Sequence, residues 1–174
     1  MQKFLIPFLG FLILATAGAA PTPKLHVGSV APKIEVSSWV KGAPVNDLHR
    51  GHVYVVEFWA TWCPPCRESI PHLTEFAKQY KNITFVGVSA FENNQADVVP
   101  FVKQMGSKMD YHVALDKQSS PTARVGYMAE KWMAAANQDG IPTAFIVGKN
   151  GKIAWIGSPF SLAPELKKFG SPSP

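Results

Sequence analysis

Cys63 and Cys66, separated by two residues, are the only cysteines in the 174-residue chain. Sulfur is a nucleophile as thiolate, and a free thiol titrates at about pH 8.5. As a staple, a pair this close contributes little, because a disulfide's stabilisation grows with the loop it closes. The spacing therefore favours a redox role. Pro64 and Pro65, between the cysteines, lack backbone N–H groups and are tolerated in the first turn of a helix. Cys63 is thus expected at a helix start, where free N–H groups and the helix dipole favour an anion. Cys66, one turn further, is expected to be less exposed. The chemistry read from the pair is thiol–disulfide exchange, with Cys63 as nucleophile and Cys66 as the resolving cysteine.

Two further features bear on that chemistry. Glu57 precedes Cys63 in a run of β-branched and aromatic residues, Val53 to Trp59, that reads as a strand covered on both faces. A carboxylate placed there is costly unless paired or protonated, and desolvation raises its pKa. An acid near Cys66 can take and return the proton of the resolving thiol. Pro142, in Gly140-Ile141-Pro142-Thr143, stands directly before another strand. It cannot donate to a sheet and suits a cis bond in a tight turn. The Ile141 backbone would then lie beside the sulfurs, free to pair with an extended substrate segment. Trp59 and Trp62 are expected to pack around the site and form its apolar rim, with Pro64, Pro65 and Ile141 as further substrate-facing residues. Arg67 either favours the thiolate electrostatically or lies in solvent.

The elements that must hold these residues alternate along the chain. A first strand is expected near Lys33–Val36, the second at Val53–Trp59, and a helix from the cysteines to about Tyr80 with Pro71 inside it. Strand Ile83–Ser89, helix Gln95–Met105 and strand Tyr111–Leu115 follow, then a helical stretch from Thr122 to about Ala136 bent near Gly126. Strand Thr143–Val147, a turn at Asn150-Gly151, a returning strand Ile153–Ile156 and a short helix Leu162–Phe169 close the domain. This order predicts an α/β fold with a mixed central β-sheet flanked by helices on both faces.

Length and composition allow one domain with a substantial core, since 47% of residues are hydrophobic. The net charge is +5, but no basic run exceeds Lys167-Lys168, which argues against a nucleic-acid surface. Lys3, the apolar stretch from Phe4 and Ala17-Gly18-Ala19 read as an export signal with a small-residue cleavage site. An uncleaved N-terminal membrane anchor is the other reading of that stretch. The expected division is a signal peptide at 1–19, a domain at 20–170 and a C-terminal tail at 171–174. An oxidising compartment lets the cysteine pair persist as a disulfide.

The stretch Val55-Val56-Glu57-Phe58-Trp59-Ala60-Thr61-Trp62-Cys63-Pro64-Pro65-Cys66-Arg67, with Pro71 and the later Ile141-Pro142-Thr143, resembles the thioredoxin superfamily. Within it the chain is similar to the exported thiol–disulfide oxidoreductases of the TlpA/ResA-like branch, over about Leu25 to Phe169. The resemblance implies a thioredoxin-like fold. It makes Cys63 the attacking cysteine, Cys66 the resolving one, Pro142 the cis proline facing them and Glu57 the buried acid. It implies exported cysteine-containing proteins as substrates and a membrane-linked electron donor; a monomer without cofactor or bound metal is expected. The segment Tyr127–Met133, with its Trp and Met residues, departs from the short lead into the proline and is expected to shape the substrate groove. A thiol-dependent peroxidase of related fold is one alternative, although the position three before Cys63 is Ala60 where peroxidatic members carry Thr. A copper-delivery protein is the other, drawing on His residues such as His72 and His112.

Overall fold

A computed structural model describes residues 24–118 and 125–172. The expected signal segment and the last two residues of the expected tail lie outside the described residues. Six strands form one sheet in the order β1-β4-β3-β2-β5-β6. These are β1 (Val36–Lys41), β2 (Val53–Trp59), β3 (Ile83–Ser89), β4 (His112–Asp116), β5 (Thr143–Val147) and β6 (Ile153–Gly157). β2, β3 and β4 run parallel to one another, while β1, β5 and β6 pair antiparallel. The mixed sheet is thus as expected.

The period of two along β2 divides the core. Val53, Val55 and Trp59 face α1 (Pro64–Gln79), α2 (Val98–Met105) and α3 (Leu162–Leu166), packing with Ile70, Leu73, Val102 and Leu166. Tyr54, Val56 and Phe58 point the other way, onto Met128, Trp132 and Phe145. All seven residues of β2 are buried, because both faces of this central strand are covered.

Several boundaries differ from the expectation. β1 lies at Val36–Lys41 rather than Lys33–Val36, and Ser37 and Ser38 within it are exposed. It is an edge strand recruited by pairing to β4 through two irregularities, and with Ser37, Ser38 and Lys41 half its residues are polar, so its apolar signal is weak. The expected helix 95–105 is a 3₁₀ turn, Gln95–Asp97, running into α2. Pro100 is tolerated because it falls in the first turn of α2, where its missing N–H has no acceptor to lose. The expected helix 122–136 is helical only after Gly126, as a π-helical segment, Ala129–Met133, followed by a 3₁₀ turn, Ala134–Ala136. Its start is held by buried Asp116, which accepts from the Met128 and Ala129 N–H groups at 2.8 and 2.9 Å. Residues 122–124 of that expectation lie outside the described residues. The terminal helix is shorter than expected: a 3₁₀ turn, Pro159–Ser161, and then α3.

Candidate active site

Cys63 is the N-cap of α1, with extended backbone, and Pro64 and Pro65 occupy the first two helical positions. Neither proline can donate, so the first backbone N–H the helix offers is that of Cys66, which points at Cys63 Sγ at 3.3 Å. Cys63 and Cys66 are joined as a disulfide, with their Cα atoms 5.3 Å apart. Cys63 keeps 3% of its surface in solvent and Cys66 none. Both cysteines are buried, Cys63 the less completely, and it is Cys63 that lies next to the exposed Trp62 and Pro64.

The Ile141–Pro142 peptide bond is cis. It leads into β5, where Thr143 pairs with Phe58 of β2 and its hydroxyl donates to the Gly140 carbonyl at 2.7 Å. That turn brings the Ile141 carbonyl to 3.7 Å from Cys63 Sγ. Two segments distant in sequence therefore meet at the sulfur because β2 and β5 are sheet neighbours. Pro64, Pro65 and Trp62 are exposed around it, and Ile141 is half-buried.

Glu57 lies on the α1 side of β2, 1% exposed, between the small residues Gly87 of β3 and Ala144 of β5. Burial pushes its carboxyl up to about 8, and Ser69 beside it pulls the value partly back. The Ser69 hydroxyl has one proton and donates it to the Cys66 carbonyl at 3.0 Å, and among the described residues neither carboxyl oxygen has a hydrogen-bond partner. Ser69 thereby links the Cys66 backbone and the acid. A carboxyl poised near neutral pH is chemically suited to exchanging a proton with a thiol.

Trp59 is not on the rim. It is fully buried and stacks against Phe101 with ring centres 5.3 Å apart, because its odd position on β2 turns it into the core. Trp62 is the exposed one of the pair, at 49%. Arg67 does not lie free in solvent: its Nε donates to the Thr61 carbonyl at 2.8 Å and its guanidinium covers the Phe101 ring.

The sequence reading missed a network centred on Glu92. Its carboxylate accepts from the Thr61 N–H at 2.8 Å, the Thr61 hydroxyl at 2.7 Å and the Ser89 hydroxyl at 2.5 Å. The neighbouring Phe91 carbonyl accepts from the Trp62 indole at 2.9 Å, and Phe91 itself has φ +59°. A non-glycine residue in that region is held there by its surroundings. Together these bonds tie the turn before Cys63 to the loop after β3. The spacing Ser89-x-x-Glu92 is the one local signal that would have pointed to it. Glu92→Ala is expected to lower unfolding free energy by about 2 kcal/mol, since three donors lose a charged acceptor. Glu92→Gln is expected to recover part of that loss. Urea unfolding of the oxidised proteins checks both, and wild-type stability in Glu92→Ala would contradict the expectation.

The histidines considered for metal delivery are not gathered at the cysteines. His72 packs on Phe160, and His112 Nδ1 lies 2.8 Å from the Ala43 carbonyl. Among the described residues, no group of three or more His, Cys, Asp or Glu side chains is disposed to hold a metal ion.

Comparison with known proteins agrees with this geometry. Residues 27–156 match the sequence model of the AhpC/TSA family. The chain is 30% identical over 155 residues to protein FixW of Rhizobium leguminosarum, covering 83% of this chain and 66% of that protein, which is therefore the longer of the two. It is 28% identical over 166 residues to the thiol-disulfide oxidoreductase ResA of Bacillus anthracis, covering 88% and 87% of the two chains. The fold is similar to the crystal structure of a thiol-disulfide isomerase from Corynebacterium glutamicum, with TM-score 0.66 at 22% identity, covering 79% and 95%.

Proposed function

Because the chain belongs to the AhpC/TSA family, with a thioredoxin-like fold, and is a thiol–disulfide oxidoreductase, we propose that it works as a reductase of disulfides in exported, cysteine-containing proteins. The observation that carries this reading is the poverty of donors around Cys63. With Pro64 and Pro65 at the first two helical positions, the Cys66 N–H is the first backbone donor the helix turns toward the sulfur. A dithiol whose thiolate is weakly stabilised gives up electrons readily, whereas a stabilised reduced form makes an oxidant.

In the forward direction the Cys63 thiolate attacks a client disulfide. The client S–S bond breaks, a mixed disulfide forms, and the leaving sulfur takes a proton from solvent. Cys66 then loses its proton to the Glu57 carboxylate and attacks Cys63 Sγ. The Cys63–Cys66 disulfide forms, the client's second sulfur leaves, and two electrons have passed to the client. Pro142 and Ile141 hold the client segment against Cys63, while Trp62, Pro64 and Pro65 form the surface it meets. A membrane-linked dithiol donor returns two electrons to the pair. The reading places the protein, as a monomer, outside the cytoplasm, by the export signal read in residues 1–19, cleaved or retained as an anchor.

The test is the reduction potential of the Cys63/Cys66 couple, measured in glutathione or dithiothreitol buffers by counting alkylated thiols. A value below about −220 mV is expected, toward thioredoxin at about −270 mV. A value above about −160 mV would overturn the reductase reading in favour of an oxidant or isomerase. Peroxide turnover is expected to be no faster than that of a simple dithiol, because buried Ala60 offers no hydroxyl where peroxidatic relatives carry Thr.

A further inference from the structure

Four buried side-chain atoms lack a hydrogen-bond partner among the described residues: both carboxyl oxygens of Glu57, the Trp59 indole nitrogen and the Tyr111 hydroxyl. They are not scattered. Glu57 faces Gly87 across the β2–β3 register. A Cβ on Gly87 would lie 2.8 Å from the Tyr111 ring and 3.2 Å from Trp59 Nε1. The missing side chain at Gly87 is thus what admits both rings to the space beside Glu57. All three groups sit on the face of the sheet that α1 covers, in the core that includes Cys66. Buried polar groups are partnered in folded proteins, by ordered water where protein cannot reach. A set of one acid and two donors at one spot is what a single internal water satisfies.

We propose that Tyr111 and Trp59 are positioning residues for the Glu57 proton, their O–H and N–H converging on one internal water that donates in turn to the Glu57 carboxylate. The inference rests on the reading of Glu57 as proton acceptor for Cys66. The water accepts from the phenol and the indole and gives a hydrogen to a carboxylate oxygen, which accounts for three bonds, the usual number for a buried water. When Cys66 is deprotonated, its S–H bond breaks and an O–H bond forms on Glu57; the sulfur keeps the electron pair with which it attacks Cys63. The two donors favour the carboxylate and hold Glu57 ready to receive that proton. Tyr111 itself stays protonated, since burial first and the Glu57 charge second push its hydroxyl well above the ordinary tyrosine range. The titratable groups around Glu57 are Tyr111 and, from α1, Cys66, whose carbonyl takes the Ser69 hydroxyl. β3 contributes Gly87 and β5 Ala144, neither of which titrates.

The experiment compares wild type, Tyr111→Phe and Glu57→Gln as full domains. The Glu57 carboxyl is titrated by carbon-13 NMR, and the pH dependence of glutathione release from the Cys63 mixed disulfide is followed. Removing one donor to a charged group is expected to move the Glu57 midpoint upward by about one pH unit in Tyr111→Phe. The release profile should move with it. A high-resolution crystal structure of wild type should show a water within hydrogen-bonding distance of Tyr111, Trp59 and Glu57. That measurement needs no variant and decides the matter should Tyr111→Phe fold poorly. An unshifted Glu57 midpoint in folded Tyr111→Phe, or a dry site in wild type, overturns the proposal. Glu57→Gln separates the two readings. If it abolishes the pH dependence of release while Tyr111→Phe shifts nothing, the acid stands and the positioning role fails. If release keeps its pH dependence in Glu57→Gln, the reading of Glu57 fails and takes this inference with it.

Discussion

Cys63→Ala is expected to abolish disulfide reduction, by roughly 10³-fold or more, while leaving the fold intact. Cys66 cannot take over, because it is wholly buried and the chain has no third cysteine. Cys66→Ala should behave differently. Its Cys63 remains at the N-cap beside the Ile141 carbonyl and can still attack. With no second thiol to displace the client, the mixed disulfide should accumulate as a covalent complex. Non-reducing electrophoresis and intact-mass measurement after exposure to a disulfide-bonded peptide distinguish the two variants. Equal trapping by both, or turnover by Cys63→Ala, would refute the assignment of attacking and resolving roles. The asymmetry is a consequence of helix geometry. One sulfur sits on the cap, and the other lies one turn along, under the helix and against the sheet.

The second large effect concerns stability. Glu57 binds its proton more tightly in the folded protein, up to about 8 against an ordinary 4.5. The unfolded chain releases that proton from about pH 4.5 upward, while the folded chain must hold it or bury a charge. The stabilisation from the raised value is therefore complete below pH 4.5 and is lost as pH rises to about 8, where it levels off. The span corresponds to roughly 5 kcal/mol as an upper figure. Glu57→Gln removes this dependence. The variant should be no more stable than wild type at pH 5, where its amide brings unpartnered donors of its own, and clearly more stable at pH 9. Urea unfolding of the oxidised proteins at pH 5, 7 and 9 measures the difference directly, and other titrations, such as that of buried Asp116, cancel in it. Parallel curves for the two proteins would contradict the burial of an ionisable Glu57. The same substitution is expected to slow release of the mixed disulfide, so the site gives up stability at alkaline pH to keep a proton acceptor in place.

The three central strands β2, β3 and β5 lie where the sequence placed them, and the reason is local. Each is a largely apolar, β-branched and aromatic run bounded by turn residues, the pattern of a strand covered on both faces, with Glu57 the one charge among them. The helix start at Cys63 is equally local, because Pro64 and Pro65 are tolerated there and Asn150-Gly151 likewise marks the β5–β6 turn. Edge strand β1 lies a few residues later than expected because its residues are half polar, and pairing with β4 supplies what its own pattern lacks. The helical stretch ending near Ala136 is expected, but its start and π-helical form differ for a related reason. Its start is set by the Asp116 carboxylate at the end of β4, a partner that spacing within the segment does not reveal.

The chemistry divides in the same way. The residue types and their spacing determined that two cysteines one helical turn apart would do redox work, since thiolate formation at a helix N-terminus depends on neighbours in the chain. Only the tertiary structure decided that the Glu57 carboxyl is buried without a hydrogen-bond partner among the described residues, that Trp59 lies in the core while Trp62 is exposed, and that Glu92 ties down the turn before Cys63. It alone brought the Ile141 carbonyl to Cys63 and let Tyr111 in over Gly87. Those contacts join residues dozens of positions apart through sheet register, and register is a property of the packed sheet that no single segment encodes.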